Sequence, residues 1–113
     1  MRQSIEQAKY KELKELRAHL NKYAGYCKYH IDHIYPKNMG GKDNYENVWI
    51  VPAEWNSLTT MDRSVDMILF IHEWIMKYGK VCTVIPEGLI ELEKQQNLKQ
   101  LKAMGLDILI KDK

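Results

Sequence analysis

The sequence predicts an α+β fold that is mostly helical, with a β-hairpin and a short helix at its centre. Three observations predict it. Residues 4–24, 64–78 and 86–104 carry helical patterning with start and stop signals. Residues 26–35 and 48–51 are two runs rich in aromatic and β-branched residues. Between them lie twelve residues crowded with Pro, Gly, Asn and Asp, and Pro52 follows the second run, where a helix would open. At 113 residues the chain is expected to form a single domain, 1–113, around one modest core.

Taken in order, Ser4 and Gln7 have the spacing of a capping box, which opens a helix over about 4–24. Ile5, Ala8, Leu13, Leu16, Leu20 and Tyr23 are its expected apolar stripe, and Gly25 is a natural stop. This helix reads as a scaffold packed on the central module, with a contact to a polyanion from its basic face as a secondary role. The first strand is expected over 26–35 and ends at Pro36, which cannot donate to a ladder. Residues 36–47 form a loop, 48–51 the second strand, and 52 to about 60 a short helix. The central module thus spans about 26–60.

The helical part that follows covers about 62–113. Asp62 is the expected N-cap of a helix over 64–78 whose apolar side is Val65, Ile68, Leu69, His72, Ile75 and Tyr78. Residues 81–85 read as a short strand or an extended linker. Pro86 opens the last helix, with Leu89, Leu92, Leu98 and Leu101 as apolar positions and Gly105 at its end. The apolar tail 106–110 could dock as an edge strand or onto a second copy.

Composition is that of a soluble globular chain, 45% hydrophobic and 28% charged. No apolar run is long enough to cross a bilayer, and residues 1–12 lack the apolar core of a leader, so a cytoplasmic location without membrane contact is expected. Charge is uneven. Residues 1–42 hold nine Lys and Arg against four acids, a net +5, whereas residues 43–113 hold eight against eleven, a net −3. A basic first half suits a polyanionic partner. Cys27 and Cys82 read as free thiols. The Cys27–His30 spacing lacks the second pair that a structural zinc would need.

Seven residues at fixed spacing carry the functional argument: Asp32-His33, Pro36, Gly40-Gly41, Asn47 and Asn56. At these positions the chain resembles the HNH endonucleases, whose ββα-metal fold is a hairpin followed by a metal-side helix. The resemblance covers about residues 27–60. It is closest to the Asp-His, Asn, Asn variant and to the compact proteins of phages and bacteria. It implies a phosphodiester hydrolase acting on DNA, with 5′-phosphate and 3′-hydroxyl products. Asp32 and Asn56 would hold one metal ion. His33 would be the general base, oriented through its other ring nitrogen by a backbone carbonyl of the 36–47 loop. Asn47 would tie that loop down.

The residue types suit this chemistry. Hydrolysis needs a proton acceptor for water and a positive charge at the phosphate and at the departing oxygen. Two oxygen ligands, one of them charged, favour Mg²⁺ or Mn²⁺ over softer metals. Gly40 and Gly41 permit tight turns. His30 shares the strand face of Asp32. It is a third ligand, a partner to Asp32, a phosphate contact or an ordinary surface histidine. Lys28, Lys37 and Lys42 are candidate DNA-backbone contacts. Trp49 and Trp55 read as core, and His19 and His72 as structural.

One such site cuts one strand, so nicking is the simplest activity, and a double-strand break would need a homodimer or two encounters. The small size leaves room for a partner protein, such as a packaging motor, to supply specificity. The rival readings are a non-catalytic nucleic-acid-binding protein and a protein-interaction module that keep the same fold.

Overall fold

The structure is a computed structural model that describes residues 4–58 and 63–105. The expected tail docking at 106–110 and the cap at Asp62 lie outside these residues. The described chain is α+β and mostly helical, with four α-helices and one two-stranded antiparallel sheet. In order come α1 (Ile5–Ala24), β1 (Tyr29–His33), β2 (Val48–Pro52), α2 (Ala53–Leu58), α3 (Val65–Tyr78) and α4 (Glu87–Ala103). Two single 3-10 turns, Lys37–Met39 and Tyr45–Asn47, shape the loop between the strands.

The hairpin is the organising element. Its register pairs Tyr29 with Pro52, Ile31 with Ile50, Asp32 with Trp49 and His33 with Val48. β2 is buried along its whole length. That explains its unbroken apolar run, because a strand covered on both faces has no need to alternate. On one face Trp49 and Val51 join Ile34, Trp55, Met67, Ile71, Cys82 and Leu89 in a core shared with α2, α3 and α4. On the other face Tyr29, Val48 and Ile50 meet Leu13 of α1.

β1 is shorter at both ends than the expected 26–35. Its partner β2 has five residues, Pro52 the last of them, and the chain passes from there directly into α2, which limits the ladder. Pro52 is the last residue of β2 rather than the first of the helix, and the Ala53 N–H returns to the Lys28 carbonyl at 2.8 Å. Residues 81–85 are not a strand. Val81 makes one parallel bridge to Ile50, through Ile50 N–H to Lys80 O (2.6 Å) and Cys82 N–H to Ile50 O (2.8 Å).

The helix ends follow the sequence closely. Ser4 and Gln7 form a complete capping box, and Gly25 closes α1 in the left-handed region at φ 84°. α3 is capped by Ser64 rather than by the expected Asp62, and the Ser64 Oγ accepts the Met67 N–H at 3.2 Å.

The buried faces differ from expectation. On α1, Leu13 and Leu20 of the expected stripe pack, with Tyr10 beside them, whereas Ile5, Leu16 and Tyr23 are exposed. The packed line is displaced by roughly a quarter-turn from the apolar stripe. The cause is polar residues on that line with specific partners. Glu6 accepts the Tyr45 N–H. Asn21 accepts the Tyr29 N–H at 2.8 Å and donates to the Tyr29 carbonyl at 3.1 Å.

On α3 the core side is Met67 and Ile71 with Ile68, Phe70, Trp74 and Ile75, whereas Val65, Leu69, His72 and Tyr78 are exposed. This helix is apolar nearly all round, so periodicity could not choose its face. Of the apolar positions on α4, Leu89 and Leu92 meet the core and Leu98 is exposed.

Gly41 is where the loop comes closest to the strand end. A Cβ there would lie 1.8 Å from the Tyr35 carbonyl oxygen, and the Gly41 N–H donates to Pro36 O at 2.9 Å. Gly41→Ala is expected to cost about 1–3 kcal/mol, since backbone rather than a flexible side chain must yield. Chemical denaturation against wild type checks this.

Candidate active site at the hairpin end

Asp32 faces the core shared with α2, α3 and α4, and is 8% exposed. Its Oδ2 accepts three hydrogen bonds, from Trp49 Nε1 (3.0 Å), Trp55 Nε1 (3.3 Å) and Arg63 Nη2 (2.7 Å). Each donor is buried and would be costly to leave unpaired, by about 1–3 kcal/mol for a neutral group and more for a charged one. One carboxylate oxygen therefore satisfies two indoles and forms an ion pair with a guanidinium. Trp49 and Trp55 are core residues, as expected, but each also orients Asp32.

His33 is the next residue and leaves the opposite side of the strand. Its Nε2 donates to Asp43 Oδ1 at 2.9 Å. The same carboxylate oxygen accepts the Tyr10 hydroxyl at 2.7 Å, and Lys37 Nζ lies 3.4 Å from Oδ2. The orienting group on His33 is thus a side-chain carboxylate of the loop, not the backbone carbonyl expected.

The His33 bond, followed by the Tyr10 bond, holds the Asp43 carboxyl well below the usual carboxylate range. Asp43 remains ionised and keeps a proton on Nε2, so Nδ1 is the ring nitrogen with a free lone pair.

Tyr10 is pushed up to about 12, first by burial and then by Asp43. A raised folded-state value means that the contribution is complete below pH 10 and is lost as pH rises from 10 towards about 12. In an alkaline titration by ultraviolet absorbance, Tyr10→Phe is expected to remove a late-ionising component.

Asn47 ties the loop to the strand end. Its Oδ1 accepts the Tyr35 N–H (2.9 Å), and its Nδ2 donates to Tyr35 O (2.9 Å) and Lys42 O (2.7 Å). Its own carbonyl accepts the Ile34 N–H at 2.8 Å. These bonds fix the loop that carries Asp43, and so fix the carboxylate relative to His33.

Asn56, on α2, is exposed, and its Nδ2 donates to His30 Nδ1 at 3.2 Å. His30 shares the Asp32 face of β1, so α2 and β1 bring residues 30, 32 and 56 to one side of the hairpin, with His33 on the other.

Among the candidate backbone contacts, Lys42 is exposed, Lys37 is shared with Asp43, and Lys28 is half-buried with its ammonium 5.4 Å from the Tyr29 ring centroid. His19 and His72 are exposed and carry no structural packing role of the kind expected. Both cysteines are free, Cys27 exposed and Cys82 buried.

Comparison with protein-family models, with curated proteins and with solved structures returns no match.

Among the described residues, no three His, Cys, Asp or Glu side chains gather as a metal-binding group. A cation here would rest on a mixed donor set of one carboxylate, one amide and one imidazole. That set fits a hard dication in kind. Among the described residues the three donors to the Asp32 carboxylate all meet Oδ2, so Oδ1 would be the oxygen offered to an ion. A carboxylate anchored through one oxygen by neighbouring donors is a common support for a ligand.

Sequence reasoning missed Asp43, Tyr10 and Arg63. Asp43 carried one available signal, an acid inside the loop that follows His33. Arg63 carried none, since its partners are remote in sequence. Lys80 was missed as well. Its Nζ donates to the Tyr45 and Val48 carbonyls, both at 2.8 Å, and burial pushes its ammonium below the usual lysine range.

Proposed function

We propose that the chain is an endonuclease of the HNH type that hydrolyses phosphodiester bonds in DNA. One observation carries the reading: an imidazole held by a loop carboxylate, His33 Nε2 to Asp43 Oδ1 at 2.9 Å, is adjacent in the chain to a carboxylate that the described donors meet through one oxygen.

His33 Nδ1 takes a proton from water. The water oxygen forms a bond to phosphorus, the bond from phosphorus to the 3′-oxygen breaks, and the electron pair leaves on that oxygen. Asp43 balances the imidazolium that forms. Asp32 and Asn56 would hold a Mg²⁺ or Mn²⁺ ion, with His30 beside them. The bound ion supplies positive charge at the phosphate and at the departing oxygen.

Because Asp32 and His33 leave opposite faces of β1, the phosphate must lie across the outer edge of that strand, the edge β2 does not cover. Lys37 and Lys42 are near enough in the loop to meet flanking phosphates.

A second reading is a non-catalytic nucleic-acid-binding or interaction module. The observation that favours it is the ion pair between Arg63 and Asp32 at 2.7 Å, which already balances the charge of the carboxylate.

Relaxation of supercoiled plasmid separates the two. The nuclease reading expects nicked circles with Mg²⁺ or Mn²⁺ and none after chelation with EDTA. DNA retention without scission in any divalent metal would establish the binding module instead. No membrane role is proposed, as no helix among the described residues is long and apolar enough to cross a bilayer.

A further inference from the structure

We propose that Arg63 is a positioning residue that sets the metal-side carboxylate and the backbone of the general base together, an inference that rests on the nuclease reading above. Arg63 is 5% exposed. Its Nη2 donates to Asp32 Oδ2 at 2.7 Å, and its Nη1 donates to the carbonyls of His33 and of Ile34, the latter at 3.2 Å. One planar group thus holds three consecutive residues at the end of β1. The guanidinium carbon also sits 5.6 Å from the Trp55 ring centroid, and the Arg63 N–H meets Met39 Sδ at 3.4 Å.

Among the described residues the sheet has only two strands, so no further strand takes the His33 carbonyl. Asp32 and His33 face opposite ways, so a device that fixes both must act through the side chain of one and the backbone of the other. The guanidinium does this because its donors diverge in one rigid plane. Lysine keeps the charge but offers a single tetrahedral nitrogen on a flexible stem. Trp49 and Trp55 donate to the same Asp32 oxygen and hold the carboxylate from the other side.

Arg63→Lys is the direct test, with plasmid relaxation and Mn²⁺ binding read in parallel. In a folded variant kcat is expected to fall about ten- to a hundredfold, with KM for DNA changed less than about twofold. Affinity for Mn²⁺ without DNA, followed by electron paramagnetic resonance, is expected to fall by a similar factor. A folded Arg63→Lys protein with wild-type kcat and Mn²⁺ affinity overturns the inference while leaving the nuclease reading standing. A wild-type protein that never cuts DNA overturns both.

If Arg63→Lys does not fold, wild type supplies the test by nuclear magnetic resonance. The Arg63 Nε–H signal and the indole N–H signals of Trp49 and Trp55 are expected to shift with Mg²⁺ at the concentrations that support cleavage, with Trp74 as the unmoved control. Signals of Arg63 and both indoles that stay in place while cleavage proceeds overturn the inference.

Discussion

His33→Ala is expected to lower Mg²⁺-dependent strand scission about a hundred- to ten-thousandfold, the range by which a positioned proton acceptor accelerates such a step. The protein should remain folded. The His33 side chain is 23% exposed and its partner Asp43 is 53% exposed, so truncation opens no sealed cavity. Asp43 keeps its Tyr10 bond and can regain water.

Free imidazole in the reaction should restore part of the rate, as it replaces the missing base without replacing the fold. Asp43→Asn is expected to cost less, about tenfold, because the ring keeps an oriented partner and loses the charge that balances imidazolium. Single-turnover cleavage of a labelled duplex reads both variants. Undiminished scission by His33→Ala would remove this residue as the base.

Asp32→Asn is expected to destabilise the protein by about 3–5 kcal/mol, since it leaves the buried Arg63 cation without its counter-charge. Both partners are almost fully enclosed, at 8% and 5% exposure, so little screening by water reduces the effect. The asparagine oxygen can still accept from Trp49 and Trp55, and the volume is unchanged. The loss therefore isolates charge rather than packing.

In a chain of this size total stability is about 5–15 kcal/mol, so the change would consume a large share of it. Urea unfolding followed by tryptophan fluorescence measures it directly. A change below about 1 kcal/mol would mean that Arg63 finds compensation elsewhere. On the proposed nuclease reading the variant should also bind Mn²⁺ more weakly, because the one charged ligand of that proposal is gone.

The two predictions concern adjacent residues with opposite surroundings. Asp32 is enclosed by two indoles and a guanidinium, whereas His33 sits at a polar rim with Asp43 and Tyr10. That contrast comes from the period of a strand, which sends neighbours to opposite faces. Here one face is sealed by α2, α3 and α4 and the other by α1 only in part.

Local signals in the sequence determined the element plan. Ser4 with Gln7 opens α1, Gly25 closes it, and Pro86 opens α4, because caps depend on bonds between residues three or four apart. The twelve-residue turn-rich loop and the two apolar runs were enough for the hairpin. The Gly pair was legible as turn-forming residues, and Asn47 as the tie of the loop only through the resemblance.

Tertiary structure alone decided which faces are buried and which side chains meet. Asp43 reaches His33 only because Asn47 folds the loop back onto Tyr35, and Tyr10 reaches Asp43 only because α1 packs a polar line against the strands. Arg63 reaches Asp32 across thirty-one positions of sequence, with no periodicity to announce it. Such contacts are fixed by the joint packing of distant elements, where buried polar groups must find one another or lose the hydrogen bonds that water gave them.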